Sequence, residues 1–149
     1  MNKILHITNG DCAGDALKKA GMEGEILPWR DLLHEGPVPA GRSLRQMSQI
    51  RAGFIMKLWP HIKNVDKGFR KRDRTLECFR KFDETVLWFE HDLFDQLQLI
   101  QILAWFHGRK LGTANSGNIS DPGRKSQPNN SILRNPHGLH SALRILAAS

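Results

Sequence analysis

A chain of 149 residues, 40% hydrophobic and 25% charged, has the size and make-up of one globular domain with a core of its own. It contains no apolar run near the roughly 20 residues a membrane-spanning helix needs. Its two cysteines, Cys12 and Cys78, form neither a CxxC pair nor a disulfide framework, so the reading is a reduced, cytoplasmic chain with no membrane partner. The formal charge of +7 is spread along the chain, a pointer to polyanionic partners such as nucleic acid but not a signature.

Lys3–Thr8, KILHIT, has the apolar character of a short strand, and with no long apolar run it does not read as a signal peptide. Asn9-Gly10-Asp11 is a turn, with Asp11 as the cap of a helix over Cys12–Ala20 that Gly21 stops. Gly10 and Gly14 remove side chains beside a helix N-terminus, where backbone N–H groups suit a phosphate or carboxylate. A tight capped turn explains the same residues, and NGDCAG lacks the P-loop lysine. Cys12 is either an activated thiol at a helix start or a small packed hydrophobe.

Gly24–Trp29 is a second strand, stopped by Pro28. The loop that follows, Arg30–Pro39, carries Arg30, Asp31, His34 and Glu35 within six positions. Packing does not ask for these residues in a loop, whereas loops on rigid scaffolds often carry function. A surface loop with an Arg30 ion pair is the plainer alternative. Trp29 either stacks on a ligand ring or fills the core.

Ser43 caps a helix over Leu44–Trp59, with Leu44, Met47, Ile50, Phe54 and Leu58 as its apolar stripe. A second helix spans Asn64–Phe82, with Val65, Phe69, Leu76 and Phe79 inward. Eight basic residues lie between Lys63 and Lys81 against three acidic ones. Such a helix could track a phosphate backbone, though no aromatic residues interleave to stack on bases. A solvated face is the alternative, and Arg72 or Asp73 turned toward a site is a third.

Thr85–Phe106 holds the strongest signal. Thr85–Phe89 is an apolar, β-branched and aromatic run that fits a strand buried on both faces. Glu90-His91-Asp92 follows, and then a helical stripe of Leu93, Leu97, Ile100, Leu103 and Phe106, with Asp95, Gln98 and Gln101 largely off it. Asp92 is the natural N-cap. After Gly108 the chain turns rich in Gly, Ser, Asn and Pro, and only His140–Ala148 has helical character.

These elements predict an α/β fold: a small Rossmann-like three-layer domain over residues 1–108, with parallel strands 3–8, 24–29 and 85–90 in the order 2-1-3. Residues 109–149 are predicted to be an irregular tail that adds little stability. Ligands of open α/β sheets sit beyond the carboxyl ends of the strands. That edge would gather Glu90, His91, His34 and Asp11 as acid–base candidates. It would also gather Asn9, Gly10, Arg30, Asp31, Glu35, Asp92, Asp95 and Gln96 as ligand-binding candidates. Glu90 and His91, with Asp11, Arg30 and His34, are expected around one cleft. Arg30 near a helix N-terminus favours an anionic ligand, phosphorylated or nucleotide-like. No HExxH or HxH spacing occurs, so no metal is assigned, and the residues name no cofactor. A small enzyme, a non-catalytic binding module and a nucleic-acid-associated protein using the basic helix remain open.

Three stretches carry a family likeness: HITNGD (His6–Asp11), LPWRDLLHEGPVPAG (Leu27–Gly41) and LWFEHDLFDQLQLIQIL (Leu87–Leu103). Together they resemble a bacterial family known as domain of unknown function 1835, over about residues 3–107. The resemblance implies that these polar residues recur in relatives, and it lends no activity. Members of that family continue with further strands and helices, which residues 109–149 do not resemble. The tail therefore reads as divergent or truncated, and the sheet as short of strands.

Overall fold

The computed structural model describes residues 1–111 and 142–146. Strand β1 (Ile4–Thr8) runs between two parallel neighbours, β2 (Glu25–Pro28) and β3 (Glu84–Trp88). Thr8 lies beside Pro28 on one side and Trp88 on the other, so three strand ends meet at one edge. A fourth strand, β4 (Ala142–Leu146), pairs antiparallel with β3. The result is a mostly parallel, four-stranded open sheet in the order β2-β1-β3-β4. Four α-helices accompany it among the described residues: α1 (Asp11–Lys19), α2 (Leu44–Leu58), α3 (Val65–Glu77) and α4 (Leu93–Phe106).

Two expectations fall at β4. The sheet is not all-parallel, and the segment read as weakly helical is a strand. Its residues alternate as a strand demands, with Leu143 half-buried, Arg144 exposed and Ile145 buried. Five residues are too few for periodicity to separate the two. Arg144 also pairs with Glu84 at 3.2 Å. An antiparallel edge strand on a parallel sheet is common. The segment is thus not the inert end of a tail, because Ile145 belongs to the main core. Deleting residues 142–149 should lower the thermal midpoint by about 4–20 °C, given roughly 2–5 kcal/mol for a lost core isoleucine and about 2–4 °C per kcal/mol at this chain length. The rest of the predicted tail, residues 112–141, lies outside the described residues.

Side chains alternate across the sheet. Leu5, Ile7, Leu87 and Phe89 face α3 and α4, where they meet Leu76, Ile102 and Phe106. On the other face, Val86 and Trp88 pack on Ala13 and Leu17 of α1. His6 is fully buried. The Trp88 indole N–H donates to His6 Nδ1 at 3.0 Å, so the ring proton sits on Nε2 and is donated to the Glu23 carbonyl at 2.9 Å. Burial lowers the His6 pKa below its ordinary value, in keeping with a neutral ring.

The caps of α2 and α4 form where expected. Ser43 and Gln46 make a capping box, and Asp92 accepts the Asp95 N–H at 2.9 Å. Asp11 is not the cap of α1; Gly10 holds that position, and the Asp11 carboxylate turns to Arg30 instead. Of the helix expected over Asn64–Phe82, α3 ends at Glu77; Phe69 and Leu76 are buried as expected, Val65 is half-buried, and Phe79 is buried in the 3-10 turn that follows. The stripes of α2 and α4 are rotated. In α2 Ser48, Arg51, Ala52 and Ile55 are buried while Leu58 is exposed. In α4 Asp95, Gln98, Ile102 and Phe106 are buried while Leu93, Ile100 and Leu103 are exposed.

Candidate functional site

Short turns hold the strand ends together. Thr8 Oγ1 donates to the Gly10 carbonyl at 2.8 Å, and the Trp29 N–H to the Thr8 carbonyl at 2.8 Å. Gly14 lets α1 close on β2, since a Cβ there would stand 3.1 Å from Ile26 Cγ2. A cleft of about 1240 Å³ opens at this edge and runs along α3 to the α2–α3 loop. Six of the predicted residues line it: Asn9, Asp11, Arg30, Asp31, His34 and Asp95. The other six, Gly10, Glu35, Glu90, His91, Asp92 and Gln96, do not line it.

The Glu90 segment has a structural explanation. The Glu90 N–H donates to Asp95 Oδ2 and its carbonyl accepts from Gln96 Nε2, both at 2.6 Å. The other Asp95 oxygen accepts from Asn9 Nδ2 at 2.9 Å. Asp95 therefore ties the turn after β1 to the turn after β3. Glu90 is half-buried, and His91 is exposed. Cys12 is exposed on α1, not packed as a small hydrophobe.

Beneath the cleft, behind its lining residue Asp31, lies buried charge. Arg51, absent from the sequence-based candidates, is fully buried against Asp31, with Nε and Nη2 each 2.9 Å from Asp31 Oδ1. It also donates to the carbonyls of Leu32 at 2.7 Å and Glu35 at 2.6 Å. The loop after β2 is thus wound around one guanidinium. Gly36 closes it at φ 78°, where a Cβ would collide with the Phe54 ring. Packing does ask for Asp31 in this loop, contrary to the expectation from sequence.

Arg72, with Asp31 and Gln98, forms the floor itself. Its guanidinium lies 3.9 Å from the Trp29 ring centre and 4.4 Å from that of Phe69. It donates to Asp73 Oδ1 at 2.9–3.0 Å and to Ser48 Oγ at 2.8 Å. Trp29 is fully buried and gives its N–H to Gln101 Oε1 at 2.9 Å, so it is a core residue and not a ligand platform. Gln98 donates to the Asp31 carbonyl at 2.6 Å.

Three atoms of this floor are buried without a partner: Asp31 Oδ2, Arg72 Nη1 and Gln98 Oε1. No other buried side-chain polar atom among the described residues is in that condition. All three residues line the one cleft. Desolvation pushes the Asp31 carboxyl above its usual range, against the pull of Arg51. Burial likewise lowers the Arg72 pKa, against the support of Asp73.

The rim is different. Arg30 holds both oxygens of Asp11, at 2.7 and 2.5 Å, and both side chains are more than half exposed. The hydrogen bond from Arg30 holds the Asp11 carboxyl below the ordinary carboxylate range. His34 stands edge-on to Phe94, 4.3 Å between ring centres, and 3.5 Å from the Glu35 carboxylate. Among the described residues no group of three or more His, Cys, Asp or Glu could hold a metal ion. No helix there is long and apolar enough to cross a membrane.

No family model, curated protein or solved structure matches the chain.

Arg51 and Gln98 left a trace in the sequence. Ser48, Arg51 and Ile55, and Asp95, Gln98, Ile102 and Phe106, each follow i, i+3, i+4 spacing. The inward faces of α2 and α4 are legible once polar residues are allowed on them.

Proposed function

We propose that the cleft binds a small polar molecule of nucleotide-like chemistry, held by its floor. The observation that carries this reading is that the three residues with a partnerless buried polar atom, Asp31, Arg72 and Gln98, all line one cleft. A buried polar atom without a partner costs about 1–3 kcal/mol, so these three side chains gain by turning into the cleft toward a ligand that pairs them. Asp31 Oδ2 and Gln98 Oε1 accept, and Arg72 Nη1 donates. The complementary ligand edge carries two donors and one acceptor, as guanine does. Burial of the floor favours such contacts, because hydrogen bonds strengthen away from water. The reading is of binding. Turnover of the same ligand is the second reading, favoured by His34, the predicted proton carrier that does line the cleft.

We also assign the chain, on the three stretches that carry the resemblance, to the domain of unknown function 1835 family. We read residues 1–108 as a Rossmann-like three-layer domain. The parallel neighbours on both sides of β1 and the helices on both faces support that reading.

Calorimetric titration with guanosine, adenosine, cytidine and uridine tests the function. Guanosine should bind tightest. Gln98→Met, close in shape but without the acceptor, should weaken it about tenfold, the equivalent of 1.4 kcal/mol. Absence of binding by any of the four at millimolar concentration refutes the reading.

A further inference from the structure

We infer that the basic groove on α3 is the phosphate subsite of this cleft, so that the ligand is a phosphorylated nucleoside lying with its base on the floor and its phosphate on Lys67, Lys71 and Arg74. The inference rests on the proposed reading of the cleft and adds where the charged end of the ligand goes.

The strand-end turn is the obvious place for a phosphate, and it is already neutralised. Arg30 spends both ends of its fork on Asp11. The Asp11 carboxylate itself stands in the first turn of α1, where an incoming anion would meet it. The charge needed for an anion is on α3. A groove of about 380 Å³ is lined there by Lys67, Arg70, Lys71, Arg74 and Thr75, with no acidic residue among them. Arg70 is held by Asp66 at 2.5 Å. Among the described residues, no ion pair holds Lys67, Lys71 or Arg74.

Their spacing is i, i+4 and i+7, which puts three cations on one face within about 10 Å at 1.5 Å per residue. Like charges at that spacing work against the helix. Nothing in the packing requires them, since all three side chains belong to exposed residues.

The groove is continuous with the cleft, because Lys71 and Thr75 line both. The next residue after Lys71 is Arg72, whose partnerless Nη1 belongs to the floor. One helix therefore presents a buried donor to the base and an exposed cation to whatever the base carries. Lys18 and Lys63 add positive charge along the same cleft. A ligand anchored at Arg72 and extending outward along α3 meets Lys71 first, then the rest of the groove. The phosphate could come from a free nucleotide or from a single strand of nucleic acid; the chemistry at α3 is the same.

The test compares each nucleoside with its 5′-monophosphate, on the natural chain and on the Lys67→Glu, Arg74→Glu double variant. Those two residues line the groove and not the cleft, and circular dichroism and thermal melting verify the fold. The monophosphate should bind at least tenfold tighter than its nucleoside. The double variant should abolish that gain and leave the nucleoside within about twofold. A pentanucleotide titrated over a salt series identifies the source, because a slope of about −0.7 per phosphate counts the contacts made. A slope of several phosphates with tighter binding assigns a strand; a monophosphate that binds as well assigns a free nucleotide. A monophosphate that binds no better than its nucleoside, or a gain that survives in the double variant, overturns the α3 subsite while leaving the cleft reading standing. Failure of every nucleoside and monophosphate to bind overturns both.

Discussion

Arg30 and Asp31 are neighbours in the chain, and each forms an Arg–Asp pair with a different partner. Asp31 and Arg51 are fully buried, with Arg51 also holding loop carbonyls. Arg30 and Asp11 are bidentate, and both remain more than half in water. The chemistry is the same and the consequences are opposite. A buried pair is indispensable once present, because removing one partner strands the other away from water. An exposed pair trades one set of water contacts for another, and double-mutant measurements of such pairs give at most about 1 kcal/mol. Good geometry alone does not distinguish them; burial does.

The largest expected effect is at Arg51. Arg51→Met keeps much of the volume, leaves Asp31 as an unpaired buried carboxylate, and removes the donor from the carbonyls of Leu32 and Glu35. Unfolding by denaturant should show a loss of about 3–5 kcal/mol. The double variant Arg51→Met, Asp31→Leu should be more stable than Arg51→Met alone, since it removes the stranded charge. A loss below about 1 kcal/mol in the single variant would erase the difference between the two pairs.

Acid titration sharpens the comparison by sign. Asp31 has its native pKa raised above 3.8, chiefly by desolvation, so the folded state holds that proton more tightly than the unfolded chain. Its favourable contribution is complete below 3.8 and is lost as pH rises through the native value. Asp11 has its pKa lowered, chiefly by the Arg30 hydrogen bond. Its contribution is complete above 3.8 and is lost as pH falls through the native value. Measured between about pH 3 and 6, the destabilisation caused by Asp31→Asn should grow on acidification, and that caused by Asp11→Asn should shrink. Equal signs for the two variants would remove the basis for treating them as different environments.

The same distinction explains what the sequence made legible. The strands β1 and β3 are mostly apolar or β-branched and buried along nearly their whole length, which makes them legible as central strands. The inward residues Phe69 and Leu76 of α3 could be read because each packs in an apolar cluster, Phe69 against Ala52 and Ile55 and Leu76 in the main core. α4 misleads, because half of its inward face is Asp95 and Gln98, which serve the turns and the cleft floor, while Leu93, Ile100 and Leu103 face outward. Any reading that equates apolar with buried rotates such a helix. Glu90 and His91 stood out as ionisable groups at a strand end, yet the backbone of Glu90 is held by Asp95 and Gln96 and neither residue lines the cleft. Arg51 lies on a helix 20 residues from Asp31. No local pattern joins those two; only the folded chain does. The five residues of β4 are too short a segment to outweigh the Gly- and Ser-rich stretch before them.

The smallest effect is expected at the exposed pair, and it bears most directly on where an anion binds. Arg30→Ala should change stability by no more than about 1 kcal/mol, and by less as salt is raised, because the pair is screened. The variant leaves the Asp11 carboxylate without its counter-charge at the mouth of the cleft. If the phosphate sits on α3, a monophosphate should lose no more than about threefold in affinity, less than about 0.7 kcal/mol, through the longer-range repulsion of Asp11. The nucleoside, being neutral, should be unaffected. If Arg30 itself grips the phosphate by leaving Asp11, the variant should remove the whole advantage of monophosphate over nucleoside, as the α3 charge reversal is expected to do. The two variants thus assign the anion to one side of the cleft or the other. An exposed pair contributes little to stability, so a loss of ligand affinity at Arg30 could not be mistaken for a loss of fold.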